Sequence, residues 1–189
     1  MPFLFESYPT VNYDIKKNGK LQTLTDLTVR FKIIEALQSR TIITYDYNVV
    51  DGERPDILAH KYYEDSSLDW IIILVNQIID PTWEWPLDQT SFDNYIRKKY
   101  GSAVTAQSTV HHYEKIIRTS SVRIDGSFID EKTVWVDLET YNTLASDARK
   151  TISSYQYEIE QNEAKANIKL LDKRYVPSLI NEVDNVFNV

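Results

Sequence analysis

Between residues 42 and 87 the apolar positions switch from strand spacing to helical spacing and back again. Ile42, Ile43, Tyr45 and Tyr47 give β-branched and aromatic strand character. Asp51-Gly52 supplies a turn, and Pro55 suits the first position of a helix, so a helix is predicted from about Arg54 with Ile57, Leu58 and Tyr62 on one face. Asp65, Ser66 and Ser67 interrupt the run, and 68–75 resumes it almost without polar residues, which predicts a second, largely buried helix. Asp80-Pro81 ends that helix, and Trp83, Trp85 and Leu87 alternate with Glu84 and Pro86 as a short returning strand would. The predicted unit runs strand, helix, helix, strand, with a core of Leu58, Tyr62, Trp70, Ile73, Leu74, Trp83 and Trp85.

Outside this unit the patterns are simpler. Val11, Tyr13 and Ile15 alternate before Asn18-Gly19, and Leu21 resumes after it, so residues 1–25 read as an extended arm with a hairpin. Asp26 is placed to cap a helix carrying Leu27, Phe31, Ile34 and Leu37. Thr90 is placed to cap another, with Phe92, Tyr95, Ile96 and Tyr100, which stops at Gly101. The small polar stretch 102–108 reads as a loop, and 110–117, 122–129 around Asp125-Gly126, and 133–136 read as a small antiparallel sheet. From Leu138 to Ala166 apolar and small residues fall at alternating steps of three and four, without Gly or Pro, predicting one helix of roughly 45 Å. Its narrow seam, including Tyr141, Ala145, Ala148, Ile152, Tyr155, Ile159 and the polar Asn162, is predicted to bind a partner helix. A short extended IKLL and a helix from Pro177 close the chain. The fold class is α+β, divided as 1–40, 41–101, 102–137 and 138–189.

Composition narrows the function. With 189 residues and 42% hydrophobic content the chain can bury a core, and 13 Tyr with 4 Trp are types that enrich at protein interfaces. The net charge of −7 argues against nucleic acid, which needs a concentrated basic surface; Lys16, Lys17 and Lys20 flank a turn and read as solvated charges. Zero Cys excludes disulfides and thiolate metal sites. The start lacks a basic leader region and no apolar run reaches the length of a membrane span, so neither secretion by a signal peptide nor a membrane partner is expected. Gly-rich phosphate loops, a GxSxG elbow and a Cys nucleophile do not occur, so catalysis and cofactors are not expected. His111 and His112 are adjacent, and in a regular strand their rings face opposite ways; His60 and Glu64 stand one helical turn apart without further ligands, so no metal site is expected.

Two resemblances add to this reading. Gly52-Glu53, Leu58-Ala59, Tyr62, Ile72, Val75 and Asn76 look like the pattern of a LysM module, which covers about a quarter of the chain. The wider run DGERPDILAHKYYEDSSLDWIIILVNQIIDPTWEWPL, followed by FDNYIRKKYG, resembles the baseplate wedge protein 53 family of contractile-tailed bacteriophages. NGK with TDLTVRFKIIE (18–35), YEIEQNE (157–163) and IKLLDKRYVPSLINEVDNVF (168–187) extend that likeness towards both ends. It implies a structural subunit of the virion tail baseplate, assembled in the host cytoplasm. Such a subunit joins neighbouring wedges around the hub and contacts other wedge subunits and the sheath-initiating baseplate subunit. The LysM likeness implies an alternative, N-acetylglucosamine polymer binding in loops 51–54 and 77–82 with Trp83 and Trp85 as a stacking platform. Arg54-Pro55 departs from the usual glycan-binding loop, where a small hydroxyl residue is common.

Overall fold

A computed structural model describes residues 8–28 and 44–187. The predicted helix through Phe31, Ile34 and Leu37, and the strand positions Ile42 and Ile43, lie outside the described residues. The fold is mixed α+β and divides into two units, the first comprising the chain up to Pro86 together with the chain from Lys165, the second Leu87–Ala164.

The first unit contains the hairpin β1 (Thr10–Tyr13) and β2 (Gln22–Thr25). Thr10 pairs with Thr25 and Tyr13 with Gln22, so the connection spans residues 14–21 rather than the two residues of Asn18-Gly19. Asp14 accepts the N–H groups of Asn18 and Gly19 at 3.1 and 2.6 Å, and that side-chain clamp sustains the longer loop. Next come β3 (Thr44–Asn48), α1 (Pro55–Tyr63), a 3₁₀ turn (Ser66–Leu68) and α2 (Asp69–Val75). Pro55 occupies the first turn of α1, and Glu64 in the left-handed region closes it, its N–H donating to the His60 carbonyl.

The returning strand is not where the Trp83–Trp85 alternation places it. Asp80 accepts from the Thr82 N–H, and Pro81 then begins the one-turn helix α3 (Pro81–Glu84). α2 has already ended at Val75, with Gln77 in the left-handed region, so the Asp-Pro pair starts a helix and does not end one. The partner of β3 is β9 (Asn167–Leu171), antiparallel, from Thr44 opposite Leu171 to Asn48 opposite Asn167. Strand, helix, helix and strand therefore occur in the predicted order, with the whole second unit inserted before the last strand. Asn76 fixes that late strand: its amide donates to the Lys169 carbonyl and its oxygen accepts the Lys169 N–H, both at 2.8 Å.

The main core joins Val49, Leu58, Ala59, Ile72, Trp85, Ile168 and Leu170, with Tyr62 and Ile73 half-buried against it. A second cluster places Leu171 and Val176 on Leu68, Ile71 and Val75, with Trp70 at its margin; it seats the final helix α8 (Val176–Phe187). Leu74 is half-buried. Trp83 is not a core residue: it is 59% exposed, whereas Trp85 is 7% exposed and its indole N–H donates to the Glu53 carbonyl at 2.8 Å. A strand would send both side chains to one face, but a helical turn followed by an extended residue sends them apart.

The second unit has α4 (Gln89–Tyr100), capped by Asp88 rather than Thr90, and α5 (Ala103–Ser108), where the sequence reads as a loop. Ser102 caps α5 and Ala106 is fully buried against Phe92 and Ile96, so burial of one small residue outweighs polar composition. The sheet is ordered β7 (Lys132–Val136), β4 (Val110–Arg118), β8 (Arg149–Ser153), with β5 (Ser121–Val122) and β6 (Phe128–Ile129) pairing apart.

The single long helix over 138–166 does not form. That stretch is α6 (Leu138–Thr143), a turn, β8, and α7 (Ser154–Ala166) of 13 residues. β4 offers β8 an antiparallel ladder, broken by one bulge between Val110 and His112, from Val110 opposite Ser153 to Lys115 opposite Arg149, and the β-branched Thr151 and Ile152 suit it. Ala145 and Ala148, which counted as seam positions, contribute too little apolar surface to hold a helix against that pairing.

Candidate partner-binding surface

The seam residues are engaged largely by their own chain. Ile152 is 1% exposed on β8. Tyr155 and Ile159 lie against the Phe92–Ile96–Ala106 cluster, Tyr155 edge-on to Phe92. Asn162 mimics a peptide, accepting the Leu87 N–H at 2.8 Å and donating to the Leu87 carbonyl at 3.0 Å. The Tyr141 hydroxyl meets the Thr151 hydroxyl at 2.8 Å beneath the Arg149 guanidinium. Ala148 is half-buried and Ala145 exposed in the turn.

The best-satisfied polar group of this unit is Glu158. Its carboxylate accepts from Lys99 Nζ at 2.6 Å, the Tyr100 hydroxyl at 2.8 Å and the Tyr95 hydroxyl at 3.1 Å. Burial alone would raise its pKa, but the hydrogen bonds and charge from Lys99 and Tyr100 outweigh burial and hold it below the ordinary glutamate value. The hydrogen bond to Glu158 correspondingly raises Lys99. Three donors of the same chain fill most of its acceptor directions, and the cluster ties α4 to α7.

His111 and His112 do not face apart. The ladder between β4 and β8 shifts register between Val110 and His112, and at this bulge the alternation of faces breaks, bringing the two Nδ1 atoms within 2.8 Å. His112 Nε2 lies 3.1 Å from Glu114 Oε1, His111 stacks on Tyr157 and His112 on Trp135. Among the described residues no group of three or more metal-ligating side chains converges. Glu64, one turn from His60, pairs with Lys173 at 3.2 Å.

The loops assigned to sugar contact are built differently. Glu53 turns inward, accepting the Tyr47 hydroxyl at 2.9 Å and Lys61 Nζ at 3.2 Å, and so locks 51–54 to β3 and α1. The two tryptophans do not form a platform, because Trp85 is buried and only Trp83 is exposed.

What remains open is a ribbon. β8 pairs with β4 as far as Lys115, and the Ile116 N–H still donates to the Ala148 carbonyl at 2.9 Å; beyond it Arg118 opposite Lys132 and Val122 opposite Phe128 continue as two strands without a third among the described residues. The ribbon ends in the Asp125-Gly126 turn, where Asp125 accepts from the Ser127 N–H and hydroxyl. Val122 and Phe128 share a face, Ile124 is fully exposed beside the turn, and Phe128 is 64% exposed. Sequence reasoning located these strands and read them as one small antiparallel sheet, whereas β5 and β6 pair apart from β7, β4 and β8. The available signal was the shortness of the apolar runs flanking Asp-Gly, too short to cover one another.

Comparison with known proteins gives the family of the chain. The family model described as base plate wedge protein 53 matches residues 3–186. The chain belongs to that family. A relative, the baseplate wedge protein gp53 of Enterobacteria phage T4, is 22% identical over 187 residues, covering 95% of this chain and 93% of that protein. The family likeness read from separate segments is thus borne out across nearly the whole chain, and the protein is a structural component of a bacteriophage baseplate wedge. Among the described residues no helix is long and apolar enough to cross a membrane.

Proposed function

We propose that this wedge protein is a non-enzymatic joining subunit of the tail baseplate. It links neighbouring wedge copies around the hub through protein contacts with other wedge subunits and with the sheath-initiating baseplate subunit. Assembly takes place in the host cytoplasm before the tail is complete. The observation that carries this reading is the β5–β6 end of the ribbon with its exposed Val122, Ile124 and Phe128, large apolar side chains that their own unit does not cover. The contact surface is this ribbon in place of the 138–166 seam, whose side chains already have partners within the chain.

The double substitution Ile124→Asp with Phe128→Asp tests it. Both side chains are exposed, so thermal unfolding of the free protein stays close to that of the parent. Incorporation into baseplates, followed by sedimentation of wedge and ring complexes, is lost because burying two carboxylates in an apolar contact costs several kcal/mol. Normal incorporation would place the joining surface elsewhere.

A further inference from the structure

Two exposed patches of the first unit have opposite charge and matching apolar content. On the β1–β2 hairpin, Lys16, Lys17 and Lys20 are all exposed. They lie in or beside a run of exposed Tyr13, Ile15 and Leu21, and the loop's own acid, Asp14, is turned onto the Asn18 and Gly19 N–H groups. At the end of the helix pair, Ile79 is 75% exposed and Trp83 is exposed with it, and between and beside them stand Asp80 and Glu84. Asp80 caps α3 on the Thr82 N–H and Glu84 reaches back to the Ile79 N–H, so the patch keeps its shape. Residues 44–86 carry nine acidic and two basic side chains, and Lys165, whose Nζ donates to the Trp83 carbonyl at 2.7 Å, stands at the edge of the patch.

A two-stranded hairpin is marginally stable by itself in water. This one exposes nearly all its side chains in the free chain, so it gains by docking on another surface. On a chain of net charge −7, a lysine-bearing tip and an acidic patch form a pair of surfaces on which two copies attract. We propose that the β1–β2 hairpin of one copy docks on Ile79–Glu84 of a second copy, its lysines facing Asp80 and Glu84 and its Tyr13, Ile15 and Leu21 covering Ile79 and Trp83. The two patches differ, so the contact is head-to-tail, and such contacts close into a ring when their rotation permits. The inference rests on the copy-joining reading above and names a surface for it.

The absence of cysteine makes the test direct. Full-length Ile15→Cys is mixed with full-length Ile79→Cys under mild oxidation, and the mixed disulfide dimer is quantified by mass. The control pairs Ile15→Cys with Val104→Cys, an exposed position in the other unit. The mixed dimer forms in excess over the control and fades as salt rises to 1 M, where the screening length falls to roughly 3 Å. Lys16→Glu, Lys17→Glu and Lys20→Glu together lower its yield about tenfold, as three exposed ion pairs of ordinary strength require. A yield equal to the control overturns the proposal. So does a chain carrying both cysteines that cross-links within itself, because the hairpin then covers its own patch. If the triple variant still enters baseplates normally, the hairpin contact is overturned while the joining role stands; loss of ribbon-dependent incorporation is read separately, with the Ile124 and Phe128 variant.

Discussion

Trp83 and Trp85 are two residues apart and have opposite fates, which makes them a sharp pair for measurement. Trp85→Ala removes a buried indole and its hydrogen bond to Glu53, and destabilises the first unit by about 3 to 5 kcal/mol. Trp83→Ala alters unfolding by less than about 0.5 kcal/mol. Denaturant unfolding followed by tryptophan fluorescence distinguishes the two, and equal losses would return Trp83 to the core. Glu158 supplies a pH test. Its folded pKa lies below its unfolded value of about 4.3, so its stabilisation is present above that pH and is lost as pH falls through the folded value. Lys99→Met therefore destabilises at neutral pH, and the gap to the parent narrows below about pH 4. A gap independent of pH would show that Lys99 acts by packing its stem alone.

The element that departs most from its sequence pattern is β8. Ile152 lies on it, fully buried, so Ile152→Asp collapses the second unit instead of selectively blocking assembly, at a cost of several kcal/mol. Hydrogen exchange reads the same point without mutation: the β8 amides are protected in the free protein, and rapid exchange there would show that the strand forms only with partners. At the other sheet, Asn76→Ala cuts both bonds to Lys169 and costs about 1 to 3 kcal/mol through the peptide groups left unpaired. The loss falls on β3 and β9, so a tyrosine probe such as Tyr47 should lose protection before α4 does.

The molecule as a whole is a discontinuous unit with a second unit carried between its helix pair and its last strand. That architecture bears on the glycan reading, because loop 51–54 is clamped by Glu53 and one exposed tryptophan is a poor platform. Calorimetric titration with a soluble N-acetylglucosamine oligomer is expected to give no saturable heat. Micromolar binding would add an adhesive role to the structural one.

Local chemistry was legible from the sequence. Pro55 at a helix start, the Asp65–Ser67 break, the apolar run 68–75 and the Asp125-Gly126 turn are decided by neighbours within a few residues, and they stand where the pattern puts them. The family was legible too, because its segments span the chain in order. Pairing was not. Which strand lies beside β3, and whether 149–153 joins a helix or a sheet, depend on ladders formed across 119 or more residues for β3 with β9 and across some 34 to 43 residues for β4 with β8. A step of three and four marks a helix only if no strand elsewhere offers a better ladder, and the tertiary structure alone holds that strand.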